Sequence, residues 1–186
     1  MWRLIGITLP HYEDSVKEKQ IITSLLQSNT IEYFHIRKPE FDKKQMLHWF
    51  EDLPLEIRKR LSVHDCTELA KELQIGGVHL NQRNNYEIPI GFQGRISRSC
   101  HTLAEVRQWK TKCDYVFLSP IYNSISKEGY ESRFSKTELK KAVEQGVIDR
   151  NVFALSGVNF ERLAELKEIG FTSAAMLGCL WQEKER

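Results

Sequence analysis

Eight short apolar runs recur along this chain of 186 residues, and most neighbouring pairs are separated by a stretch with helical patterning. The runs cover residues 4–9, 33–36, 61–63, 77–80, 95–97, 115–118, 152–155 and 173–177. Each has strand length, and several are rich in Val, Ile, Phe and Tyr. Strict alternation of strand and helix argues for parallel strands, because parallel neighbours need a crossover connection. Eight such units point to closure into a barrel, with an open doubly wound sheet as the alternative topology.

The chain is shorter than the roughly 200 residues at which (β/α)8 barrels usually begin, so connections must be trimmed. The fourth, residues 81–94, has no helical pattern, and residues 178–186 leave room for at most a stub of a last helix. The expectation is a single α/β domain over residues 1–186. It is a compact (β/α)8 TIM barrel with a trimmed fourth connection and little or no final helix.

Helix starts are legible. Ser15 with Glu18, Thr102 with Glu105 and Asp65 with Glu68 have capping-box spacing, Asn159 suits an N-cap, and Gly170 suits the residue past a helix end.

A hydrophobic share of 41% and a charged share of 28% are ordinary for a globular chain. The net charge of +2 argues against nucleic acid or an anionic membrane as partner. No apolar run approaches the roughly 18 residues of a membrane span, and the first residues lack a signal-peptide core. Four cysteines without a C-x-x-C pair favour a reduced, cytoplasmic setting.

In a barrel, chemistry gathers where strands end. There the sequence places His35, Arg37 and Lys38, then His64 and Asp65, then Asn81, Gln82 and Asn84, then Arg98, Ser99 and His101. A long loop, residues 120–133, carries Ser124, Ser126 and Lys127, and the last two runs end at Gly157 and Gly178. Hydroxyls, cations and glycine turns on one rim suit a phosphate, since exposed backbone N–H groups cradle anions. Each residue also has a plainer reading. Asp65 suits a helix cap, His79 a hydrogen-bonded interior position, Cys100 packing, Gly157 and Gly178 tight turns, and Lys127 a solvated charge. His35, His64 and His101 open a metal reading as well, although the tight H-x-H pair common in zinc barrels is missing.

Six segments, in order and spacing, resemble the thiamin phosphate synthase/TenI family along nearly the whole chain. Phe34-His35-Ile36-Arg37 resembles its Q-x-R segment and the H-I-R form of the TenI branch. His64-Asp65-Cys66-Thr67-Glu68-Leu69-Ala70 resembles N-D-x-x-x-x-A, and Gly77-Val78-His79-Leu80-Asn81-Gln82 resembles G-V-H-L-G-Q. Ser99-Cys100-His101-Thr102-Leu103-Ala104-Glu105 resembles S-x-H-T-x-x-E. Ser119-Pro120-Ile121-Tyr122-Asn123-Ser124-Ile125-Ser126-Lys127 resembles G-P-I-Y-P-T-x-T-K, and Ala154-Leu155-Ser156-Gly157-Val158 resembles A-I-G-G-I.

The resemblance implies a transferase of thiamin biosynthesis. Such an enzyme joins hydroxymethylpyrimidine pyrophosphate to hydroxyethylthiazole phosphate and releases pyrophosphate. It implies that Arg37, Ser99 and Lys127 contact pyrophosphate and that Mg2+ sits at Asp65. It further implies that Ser124, Ser126, Gly157 and Gly178 hold the thiazole phosphate. Its partners would be small phosphorylated molecules. Separately from the resemblance, a flank left exposed by the short last connection would favour a homodimer. The chain departs from the pattern at four places. His35 replaces a glutamine, Pro39 a lysine next to Lys38, His64 an asparagine, and Asn84 the second metal aspartate, which leaves a carbonyl oxygen where a carboxylate would stand. Two alternatives stay open. One is a TenI-type thiazole tautomerase with His35 or His101 as acid/base; the catalytic histidine of that branch would fall at Pro120. The other is a barrel that binds a phosphorylated ligand without turnover.

Overall fold

The computed structural model describes residues 1–123 and 133–181. Its strands are β1 (Arg3–Ile7), β2 (Tyr33–Ile36), β3 (Leu61–Val63), β4 (Gly77–Leu80), β5 (Arg95–Cys100), β6 (Tyr115–Leu118), β7 (Val152–Ala154) and β8 (Ser173–Met176). They follow chain order in one closed barrel, β1 to β8. Helices α1 (Ser15–Gln27), α2 (Lys43–Phe50), α3 (Leu55–Arg58), α4 (Leu103–Trp109), α5 (Lys136–Glu144) and α6 (Leu163–Ile169) fill the connections. This is the (β/α)8 architecture that the alternation predicts.

The trimmed places are short 3-10 turns. Gln82–Asn84 stands in the fourth connection and Gly178–Leu180 follows β8. The third connection differs from expectation, because it too holds only a 3-10 turn, Thr67–Leu69. Cys66 enters that turn with φ 49° and offers no side-chain cap, while the Asp65 carboxylate is committed elsewhere. At α1 the cap is Asp14, whose side chain accepts the Lys17 N–H. Glu18 is buried rather than folded back over the helix start. At α4, Thr102 caps as expected, but the Glu105 carboxylate accepts the His101 N–H one residue earlier.

Contacts group the chain into two units, Ile5–Ser97 and Met1–Leu4 with Arg98–Arg186. In the first, β1 to β4 pair in parallel, with Gly6 opposite Phe34, His35 opposite Ser62, and Ser62 opposite Gly77. Gly6 is required sterically, since a Cβ there would lie 2.3 Å from the Phe34 ring. Ile22 and Leu26 of α1 and Met46 and Phe50 of α2 are fully buried, as are Phe34, Ile36, Leu61 and Val63. Each such side chain contributes about 1.5–3 kcal/mol when removed from water.

In the second unit, β6 pairs with β7 and β7 with β8, again in parallel. Tyr115, Phe117 and Phe153 pack with centroids 5.2 to 6.2 Å apart, a spacing typical of tilted and edge-to-face aromatic pairs. Leu139 of α5 and Leu166 of α6 are buried in the same unit.

Candidate active site

In the unit Ile5–Ser97 the alternation of β2 sends His35 to the opposite face from Phe34 and Ile36. His35 Nδ1 lies 2.8 Å from His64 Nε2, and the His64 and His79 rings stack with centroids 4.1 Å apart. All three histidines are buried, and their ligand-capable nitrogens lie within 4.8 Å of one another. Ser97 Oγ donates to the Val78 carbonyl, so it accepts from His79 Nδ1, 2.9 Å away. That contact makes Nε2 the lone-pair nitrogen of His79. Burial pulls His35 and His64 well below the ordinary histidine value, and the neighbouring histidines reinforce the shift. His35 and His64 are therefore neutral at pH 7. Spacing alone suggests a metal group of His35, His64 and His101. The structure corrects its membership, since the third histidine is His79, supplied by the face alternation of β4.

At the strand ends of the same unit, Arg37 follows β2. Its backbone N–H donates to Thr8 Oγ1 at 2.8 Å, which fixes the chain, while its half-buried guanidinium has no hydrogen-bond acceptor among the described residues. Burial lowers its pKa, Arg83 adds to the effect, and Asp65 opposes it. Asp65 is buried after β3. Its Oδ1 meets Arg83 Nε at 2.6 Å and its Oδ2 accepts the Lys38 backbone N–H at 3.1 Å. Asp65 is therefore an ion-pair partner and not a helix cap.

Asn84 is oriented unambiguously. Its Nδ2 donates to the His79 carbonyl at 2.8 Å and the His64 carbonyl at 3.3 Å, while its Oδ1 accepts the Asn81 N–H at 2.9 Å. Magnesium wants near-octahedral oxygen ligands, commonly one or two carboxylates with phosphate and water. Here a single carboxylate is already paired with a guanidinium, and the neighbouring amide oxygen is taken by a backbone N–H. This donor set does not fit a divalent ion.

The other candidate residues belong to the second unit. β5 runs on to Cys100, so Ser99 stands within the strand and not beyond it. Burial pushes the Cys100 thiol up to about 12, which leaves it a packed thiol at neutral pH. His101 follows, with Nδ1 3.1 Å from the Ser119 carbonyl. A carbonyl only accepts, so Nδ1 carries the hydrogen and Nε2 the lone pair. The Ser119–Pro120 peptide is cis. Gly157 follows β7 at φ +64°, where an added Cβ would lie 2.6 Å from the Asn123 carbonyl oxygen. Its own carbonyl accepts from Arg162 Nη1 at 2.7 Å. Gly178 starts the turn after β8; its carbonyl accepts the Trp181 N–H at 3.2 Å, and no described residue lies within 4 Å of an added Cβ. Ser124, Ser126 and Lys127 lie outside the described residues.

Sequence reasoning did not find Arg83, Ser97 or the part His79 plays. The face alternation of β4 is a signal for His79. For Arg83 there is no local signal, because its partner is eighteen residues away.

The chain matches the family model described as thiamine monophosphate synthase, TMP-TENI, over residues 4–180. It is 24% identical to the thiamine-phosphate synthase of Limosilactobacillus reuteri, across 98% of this chain and 89% of that protein. It is 26% identical to the thiamine-phosphate synthase of Dictyoglomus turgidum, across 95% and 81%. The crystal structure of a thiamine phosphate pyrophosphorylase from Bacteroides thetaiotaomicron superposes with a TM-score of 0.84 at 34% identity, covering 98% of this chain and 86% of that one. With a match that runs from the first strand to the turn after the last, the chain belongs to the thiamine monophosphate synthase (TMP-TENI) family.

Proposed function

We propose that this protein is a transferase of thiamin biosynthesis. It would join hydroxymethylpyrimidine pyrophosphate to hydroxyethylthiazole phosphate and release pyrophosphate. The C–O bond to pyrophosphate breaks, the pyrimidine methylene becomes a stabilised cation, and the thiazole nitrogen forms the new C–N bond. No proton needs to be transferred, so the protein's task is to orient two substrates and hold the departing charge. Likeness to named synthases over almost the whole chain supports this reading. Within the site, the observation that carries it is Arg37, a half-buried cation whose guanidinium has no acceptor among the described residues, positioned by Thr8 at the end of β2.

In this reading Arg37, Ser99 and Lys127 meet the pyrophosphate. The backbone at Gly157 and Gly178 meets the thiazole phosphate, together with the hydroxyls of Ser124 and Ser126. His101 presents Nε2 as a hydrogen-bond acceptor, and neutral His35 shapes the interior as an uncharged group. Magnesium, which the family resemblance implies, meets an unsuitable donor set at Asp65 and Asn84, and no step is assigned to it. The setting would be cytoplasmic; among the described residues no helix is long and apolar enough to cross a membrane.

The test is to mix purified protein with both substrates and measure thiamin phosphate and released pyrophosphate together. Equimolar appearance of the two supports the reading. Both substrates recovered intact would sink it and favour turnover of the thiazole phosphate tautomer or simple ligand binding, each measurable on the same preparation.

A further inference from the structure

We propose that Arg83 takes the electrostatic place of a divalent ion, so that Arg37 and Arg83, braced by Asp65, form a diphosphate subsite that works without metal. The inference rests on the reading above in so far as the natural ligand is a diphosphate leaving group. The recognition chemistry itself is that of any pyrophosphate anion.

Three observations carry it. First, the acid that would coordinate a metal is already neutralised by a cation of this chain, since Asp65 Oδ1 sits 2.6 Å from Arg83 Nε. The pair is asymmetric. Asp65 is 8% exposed whereas the Arg83 side chain is 42% exposed, so the carboxylate is an interior anchor and the guanidinium reaches outward from it. Of the five donors of Arg83, only Nε meets a protein acceptor among the described residues. That leaves the outer Nη hydrogens available to a ligand, in the planar fork that suits phosphate oxygens.

Second, the half-buried Arg37 guanidinium has no hydrogen-bond acceptor among the described residues, and it is electrostatically coupled to both other groups. Arg83 depresses its pKa while Asp65 raises it. Two cations held near one carboxylate leave an excess of positive charge that an anion would satisfy.

Third, the charge balance is that of a metal site. A divalent ion, two carboxylates and one arginine sum to one positive charge. Arg37, Arg83 and Asp65 reach the same sum with no ion. Asn84 removes the second carboxylate, and its amide is turned to donate to two backbone carbonyls. A second negative charge there would unbalance the arginine pair. A guanidinium at this point is also always charged, so the subsite would not depend on metal supply.

The experiment is calorimetric titration of the full chain with inorganic pyrophosphate, once in excess EDTA and once in excess magnesium. Binding in EDTA is expected to be within about threefold of binding with magnesium, a difference of well under 1.4 kcal/mol. Arg83→Gln should weaken it roughly ten- to hundredfold, the usual range for losing a charge-assisted contact. Arg83→Lys, which keeps the charge but loses the fork, should fall between the two. Arg83→Gln leaves the buried Asp65 carboxylate without its cation and should lower the melting temperature, whereas Arg83→Lys keeps that charge and should melt close to the parent, so its weakened binding reads the subsite and not the fold. Binding that disappears in EDTA overturns the proposal, as does Arg83→Gln protein that binds as tightly as the parent. Measuring thiamin phosphate in parallel separates this idea from the functional reading. Pyrophosphate binding in EDTA without any product keeps the subsite and sinks the synthase reading, whereas product formed only with magnesium sinks the subsite.

Discussion

Lys38 Nζ lies 2.6 Å from Glu18 Oε1, and both side chains are buried. The second carboxylate oxygen accepts from Trp49 Nε1 at 3.1 Å, and Lys38 Nζ also reaches the Leu9 carbonyl at 3.1 Å. Burial raises the Glu18 pKa, and the contacts with Lys38 and Trp49 oppose that rise. Lys38 stands one residue from the place of the family's lysine, yet it turns inward and ties β2 to α1. The half-buried guanidinium of Arg37, by contrast, has no acceptor among the described residues.

Removing one partner of a buried pair leaves an uncompensated charge. Lys38→Met should therefore destabilise the protein by about 3–5 kcal/mol, and adding Glu18→Met should restore most of the loss. Urea unfolding of both variants and the parent measures this. A Lys38→Met variant of parental stability would refute the assignment.

The histidine cluster sets a pH dependence. The unfolded chain protonates its histidines near pH 6.5, whereas His35 and His64 resist protonation when folded because burial disfavours their charge. Below that pH the unfolded state binds the extra protons. Stability is thus fully present above about 6.5 and falls as the pH drops, by up to about 1.4 kcal/mol per pH unit for each histidine. His35→Gln should remove one histidine's share of the slope. Equal slopes in parent and variant between pH 6.5 and 5 would count against the cluster.

Asn84→Asp tests the orientation of that side chain. The substitution exchanges a donor for a charged acceptor facing the His64 and His79 carbonyls. A loss of about 1–3 kcal/mol is expected, the range for an unsatisfied polar group. Thermal unfolding at pH 7 and near pH 4 reads it, since protonating the new carboxyl restores a donor and should recover part of the loss.

Two glycines at strand ends should respond differently. Gly157→Ala meets both a left-handed backbone and the Asn123 carbonyl oxygen, and should cost more than about 1 kcal/mol. Gly178→Ala meets no described residue within 4 Å and should stay within about 0.5 kcal/mol. If both backbones hold the thiazole phosphate, each variant should raise the KM for that substrate. A raised KM in the stable Gly178→Ala protein separates binding from folding.

Strand positions were legible because the signals are local. Runs of three to six residues, capping residues and turn glycines act within one turn of chain, and the observed β2, β3, β4 and β6 have the bounds read from them. The trimmed fourth connection and the short last one follow from length and missing periodicity, which are also properties of the string. Residue types near the strand ends offered Arg37, Asp65, Asn84, Ser99 and His101 as candidates. Their partners were another matter. Asp65 has the spacing of a cap but pairs with Arg83 eighteen residues on, Lys38 seeks Glu18 twenty residues back, and His79 joins His35 and His64. Such choices depend on strand register and on which groups burial forces together. A charge withdrawn from water must find the nearest opposite charge in space, and nearness in space exists only once the chain has folded.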